Sequence, residues 1–132
     1  ILLLRTGMMA KAKRGDVISY GTGTPIEGMP MPGFPGVGIG AVEFFSEREV
    51  SAVATDTITF EVMPWDPAVP GAILPIHCIT LVMMGLTQGQ NFDLEDLSAD
   101  CKEDGQYDFF LEASPQPFVG GTGSPVNPVA IK

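Results

Sequence analysis

The sequence predicts an α/β fold, and three observations support this prediction. Segments with strand-like patterns alternate with helix-like segments in the order β, α, β, β, α, β, α, β, β. Apolar residues make up 45% of the chain and charged residues 17%, which is typical of a globular protein with a hydrophobic core. The length of 132 residues favours a single domain over residues 1–132.

The first strand is predicted at residues 1–4, which form a short apolar run of the kind buried on both faces. The chain therefore opens inside a strand and without a methionine. Two interpretations remain open: the chain is a piece of a longer polypeptide, or a short exposed terminus has been trimmed before the first strand.

Residues 7–38 are predicted to be irregular, because they are rich in glycine and proline, which disfavour helices and central strands. A loop longer than about 12–15 residues is usually functional, interfacial or disordered. Its apolar side chains Met29, Met31 and Phe34 favour packing, either on a partner subunit or back on the same domain.

The middle of the chain predicts a helix at residues 39–49, where Ile39, Val42 and Phe45 recur at threefold spacing. Two strands are predicted next, at residues 51–54 and 57–62. The second rests on the alternation of Ile58, Phe60 and Val62 with Thr57, Thr59 and Glu61. A proline-rich breaker follows at residues 64–71.

The remaining elements are shorter. A helix is predicted at residues 76–84, with Pro75 near its start and Gly85 as its stop. A second helix is predicted at residues 94–101, with Asp93 as its N-cap. Strands are predicted at residues 86–92, 107–112 and 129–131.

The formal net charge of −9 argues against binding to nucleic acid or to an anionic membrane, since both require a basic surface. No apolar run reaches the roughly 18 residues of a membrane helix. No secretory signal pattern is visible either, so a cytoplasmic location is the default expectation.

His77 is the only histidine and the residue best suited to proton transfer or metal binding at neutral pH. The two cysteines form no CxxC pair, and Cys78 is expected to be a small buried residue. Asp56 is expected to accept hydrogen bonds from turn amides, because a buried carboxylate needs partners. Ser124 lacks the GxSxG context of a nucleophile and is interpreted as a turn residue.

Four stretches, in this order and spacing, resemble the cyclase family of metal-dependent hydrolases, which includes bacterial kynurenine formamidase and isatin hydrolase. They are residues 3–7 (LLRTG), 53–57 (VATDT), 74–97 around His77, and 123–131 (GSPVNPVAI). The resemblance covers nearly the whole chain and corresponds to the C-terminal part of such proteins.

The resemblance implies a mixed β-barrel-like sheet with flanking helices, usually in an oligomer. It implies hydrolysis of amide, lactam or ester bonds in small cyclic or aromatic acyl substrates, with water activated by a divalent metal, zinc or manganese. The histidine-rich motif HxGTHxDxPxH, which supplies the main metal ligands of the family, does not occur in this chain. Those ligands are therefore expected outside it, in a preceding segment or on a separate chain.

Two residues correspond to site positions of the family. His77 aligns with a later histidine that binds the second metal ion in two-metal members of the family, and it is the candidate catalytic residue. Gln90 stands where the family usually has a glutamate ligand, and a neutral amide is a poorer ligand than a carboxylate. His77 as a structural histidine and Gln90 as a hydrogen-bonding pocket residue are the alternatives. A truncated relative without catalysis, acting as a structural or oligomerisation module, is the alternative function.

Overall fold

A computed structural model describes residues 1–65 and 73–132, which fall into two compact units, Ile1–Glu95 and Asp96–Lys132. The first unit is built on a parallel sheet of three short strands in the order β1, β2, β3. These strands are β1 Leu2–Leu4, β2 Ala52–Thr55 and β3 Thr87–Gly89. Leu3 pairs with Ala54, and Val53 pairs with Gln88. The predicted α/β class is confirmed, and the described residues contain no closed barrel.

The core of the first unit forms around the central strand β2. Val53 is completely buried there, as expected for a strand that lies between two others. Helix α3, Ala41–Glu47, confirms the predicted helix and inserts Phe45, which is 1% exposed, into this core. The buried cluster comprises Val37, Phe45, Val53, Phe60, Ile76 and Leu86.

The prediction that residues 7–38 are irregular is wrong for their first half. Helices α1, Met8–Lys13, and α2, Val17–Thr22, occupy this part. Gly7 and Gly15 lie just outside the two ends of α1 and do not interrupt it. Their φ angles of 91° and 96° are ones that glycine adopts readily. Asp16 accepts a hydrogen bond of 3.1 Å from the Ser19 amide and caps α2. After α2 the chain is irregular as predicted, with isolated bridges only.

The predicted strand at residues 57–62 is also wrong. Phe60 has a φ of 61°, and the Glu61 amide donates to the carbonyl of Thr59 at 2.7 Å, so the backbone bends sharply. Val37 pairs with this bend, donating to Phe60 O and accepting from the Val62 amide. The side chains of both Phe60 and Glu61 are buried, so the alternation does not separate a wet face from a dry one.

The helix predicted at residues 76–84 is confirmed, with an unexpected geometry. Helix α4, Pro75–His77, continues as a π-helix, Cys78–Met83, and Gly85 follows with a φ of 67°. The expectation that Cys78 is buried is wrong: Cys78 is exposed, because the buried residues Ile76 and Thr80 put it on the opposite face of the helical segment. Of the predicted breaker, residues 66–71 lie outside the described residues.

Helix α5, Glu95–Asp104, confirms the helix predicted at residues 94–101, and Asp93 accepts a hydrogen bond of 3.3 Å from the Glu95 amide. In the second unit, β4 Phe110–Glu112 and β5 Val129–Ile131 form an antiparallel pair, which confirms both strands. Within the described parts of the chain, no helix has the length and apolar character needed to cross a membrane.

Candidate functional site

The end of strand β3 places Gln90 in a fixed position in the first unit. A Cβ atom at Gly89 would lie 2.7 Å from Ala54 Cβ and 2.7 Å from the Phe92 ring, so only glycine allows this close approach. The next two amides, of Asn91 and Phe92, donate to Thr57 O at 3.1 Å and to Thr55 O at 3.0 Å. The backbone of Gln90 is therefore fixed by the close packing of Gly89 before it and by the hydrogen bonds of Asn91 and Phe92 after it.

His77 lies opposite Gln90, at the end of α4. The amide nitrogen of Gln90 is 3.0 Å from His77 Nε2. The imidazole side chain is 19% exposed, and its ring packs edge-on against Phe60 at a centroid distance of 5.8 Å. Sequence reasoning placed these two residues at one site, and the structure brings them into contact.

Glu61 is the site residue that sequence reasoning missed. Its carboxylate is buried and accepts from His77 Nδ1 at 2.6 Å through Oε1. The same oxygen accepts from the His77 amide at 3.1 Å, and Oε2 accepts from the Ile76 amide at 3.1 Å. The sequence does contain a signal for Glu61, which stands between the apolar residues Phe60 and Val62. A carboxylate buried in such a setting needs a partner, and the single histidine of the chain is a candidate for that partner.

The three side chains form a line of hydrogen bonds from Glu61 through His77 to Gln90. A carboxylate can only accept, so the Nδ1 atom of His77 carries the proton that it shares with Glu61. The Nε2 atom of the neutral ring then has a lone pair and accepts from the Gln90 amide. This arrangement can accept, hold or release a proton at Nε2.

A second polar cluster lies on the same segment of the chain. Asp56 is completely buried and accepts from the Thr6 amide, the Thr6 hydroxyl and the Gly7 amide, each at 2.8 Å. This confirms the predicted role of Asp56.

The Tyr20 hydroxyl donates to Asn91 Oδ1 at 2.5 Å, and partial burial together with the charge of Asp56 raises the pKa of Tyr20.

The described residues of the site do not by themselves fit a metal centre. They offer one nitrogen, His77 Nε2, and the neutral amide of Gln90, while the oxygens of Glu61 are occupied by the three donors named above. Over residues 1–65 and 73–132, no three histidine, cysteine, aspartate or glutamate side chains are grouped so as to hold a metal ion. A metal ion at this site needs further ligands from elsewhere.

In the second unit, Ser124 does not have the surroundings of a nucleophile. Its hydroxyl is buried and has no hydrogen-bond partner among the described residues, so no base activates it. Ser124 lies in an irregular segment with no turn assigned to it, so its interpretation as a turn residue stays a prediction.

The chain shows similarity to known proteins at the level of solved structures. No protein-family model and no curated protein sequence matches the chain. Among solved structures, the chain is similar to the crystal structure of a novel cyclase, with 32% sequence identity and a TM-score of 0.78. The similarity covers 99% of this chain but only 40% of the cyclase. The chain thus has the fold of a part of that protein and spans less than half of its length.

Proposed function

We propose that the chain is the C-terminal part of a cyclase-family, metal-dependent hydrolase. Its substrates are small cyclic or aromatic acyl compounds, in which water cleaves an amide, lactam or ester bond. The observation that carries the proposal is the contact between His77 and Gln90, in a chain 32% identical to part of a cyclase. Both residues occupy site positions in the family that the sequence resembles.

In this proposal the chain supplies proton handling and orientation to the reaction. His77 Nε2 accepts from the Gln90 amide in this structure, and when substrate displaces that contact its lone pair takes up or returns the proton of water or of the leaving group, a role that contributes about 10²- to 10⁴-fold in rate. The Gln90 amide holds the ring in place and offers a polar contact to the substrate. A divalent ion, zinc or manganese, would supply the activated water if it is held by ligands outside this chain, with His77 and Gln90 beside it.

The missing ligands are provided by a partner, either another part of the same polypeptide or a second chain that carries HxGTHxDxPxH. The other expected assembly is a homo-oligomer, in which these ligands are still missing because no copy of this chain carries the motif. A mass in solution near twice that of the 14.0 kDa chain indicates a tightly held partner, and the mass of each polypeptide after denaturation tells a second copy from a different chain.

The decisive experiment combines the chain with a polypeptide that carries HxGTHxDxPxH and measures hydrolysis of an N-formyl amide and of a lactam. Each polypeptide alone is the control. Activity and stoichiometric zinc or manganese in the combined sample only are the expected results. A combined sample that binds the metal stoichiometrically yet hydrolyses neither substrate would refute the proposal.

The alternative is a non-catalytic relative that keeps the fold as a structural or oligomerisation module. The neutral amide of Gln90, at a position where a carboxylate would bind a cation better, favours this alternative. A combined sample that assembles into a stable oligomer without stoichiometric metal and without turnover supports it.

A further inference from the structure

We propose that Glu61 is the positioning residue of this site, and that it holds the neutral His77 ring in the tautomer with the proton on Nδ1. The Nε2 lone pair is thereby fixed on the side of Gln90. This inference rests on the proposed function for its catalytic meaning. Its structural content, the tautomer and its cause, stands independently of that function.

The first support is the position of the carboxylate at the start of α4. The first amides of a helix have no partner within the helix, and here Leu74 provides no side-chain cap. Pro75 has no amide hydrogen, so the first free amides are those of Ile76 and His77. Glu61 accepts from both, which fixes the backbone that carries the imidazole.

The second support is that the same carboxylate contacts the ring itself. Oε1 lies 2.6 Å from Nδ1, a short distance that is typical of a charge-assisted hydrogen bond. Backbone and ring are thus held by one buried group. The Phe60 and His77 rings also pack edge to face with their centroids 5.8 Å apart, so turning the imidazole away from Glu61 would disturb this ring contact as well as the hydrogen bond.

The third support is that an amide cannot replace the carboxylate. Glu61 accepts three hydrogen bonds and donates none. A glutamine has one accepting oxygen and one donating nitrogen, so in either orientation it directs a donor at a donor. The carboxylate is required even though its burial is unfavourable, and this is typical of a group retained for positioning.

The test uses the fact that the chain has one histidine, so that ¹⁵N NMR of the imidazole gives one set of ring signals. In the full wild-type chain, at a pH where the ring is neutral, the proton is expected on Nδ1. In Glu61→Met, which cannot accept a hydrogen bond, this preference is expected to be lost. A wild-type ring protonated on Nε2 overturns the inference, whether or not the variant folds.

Two variants separate positioning from general destabilisation. Asp56→Asn alters another completely buried carboxylate, which has three donors of its own and no histidine, and it should leave the tautomer unchanged. Gln90→Leu removes the donor to Nε2 and should also retain Nδ1–H. Loss of the tautomer in either variant, while the variant remains folded, contradicts the assignment to Glu61.

Turnover provides the last measurement in the sample combined with the HxGTHxDxPxH polypeptide. Glu61→Gln is expected to lower kcat by at least about 10²-fold, as for a lost general base, with KM little changed. An unchanged kcat shows that Glu61 is merely structural. If even the wild-type combined sample is inactive, the proposed function fails while the NMR result still decides the role of Glu61.

Discussion

Replacing Asp56 by alanine tests how the structure holds the sheet together. Its carboxylate joins the end of β2 to the end of β1 through the three hydrogen bonds from Thr6 and Gly7. A hydrogen bond to a charged group contributes about 1.5–3 kcal/mol when both partners are buried. Thr6 is exposed and Gly7 is half-buried, so water partly replaces the lost acceptor.

We therefore expect Asp56→Ala to lower the free energy of unfolding by about 3 kcal/mol, or about 1 kcal/mol for each donor. With a urea m-value of about 1.5–2 kcal/mol/M, the midpoint should fall by about 1.5–2 M. Asp108→Ala, which alters an exposed carboxylate, is the control and should change stability by less than about 0.5 kcal/mol. A loss below about 1 kcal/mol in Asp56→Ala would show that these hydrogen bonds do not join the strands in solution.

Three further predictions follow from local contacts. Gly36→Ala should lower the free energy of unfolding by about 1–3 kcal/mol, because the new Cβ would lie 2.5 Å from the backbone of Glu61. The control is Gly38→Ala, whose Cβ would have no atom within 4 Å and which should leave urea unfolding unchanged. Alkaline ultraviolet titration should show one tyrosine ionising above its usual pKa, since burial raises the pKa of Tyr20, and this transition should disappear in Tyr20→Phe. A hydrogen bond from Lys13 lowers the pKa of Asp93, so the stability that this carboxylate contributes is complete above its ordinary pKa of 3.8 and is lost as the pH falls below that value. Asp93→Asn should therefore reduce the loss of stability on acidification. An acid unfolding profile unchanged by Asp93→Asn would contradict the ion pair.

The sequence predicted most elements whose patterns depend on local chemistry. Pro75 and Gly85 mark the helical segment between them correctly, because the fixed φ of proline and the positive φ of glycine are properties of single residues. The π-helical geometry could not be predicted, since it depends on how the segment packs. The strand prediction at residues 57–62 is wrong because it rests on alternating apolar and polar side chains, and this pattern does not reveal the backbone bend at Phe60.

The candidate site was predictable only in part. His77 and Gln90 could be found from the family resemblance, and they do lie in contact. Glu61 could not be paired with His77, because they are 16 positions apart and the sequence between them carries no periodic pattern that brings them together. Their contact depends on the bend at Phe60 and on the position of α4, both of which are tertiary features.

The most direct test of the central claim is the turnover of His77→Ala in the sample combined with the HxGTHxDxPxH polypeptide. We expect kcat to fall by at least about 10²-fold, while urea unfolding shows a fold that is largely intact, because the backbone amides capped by Glu61 remain. Turnover equal to that of the wild type would contradict the account. A loss of folding in proportion to the loss of activity would contradict it as well, since His77 would then be a structural histidine.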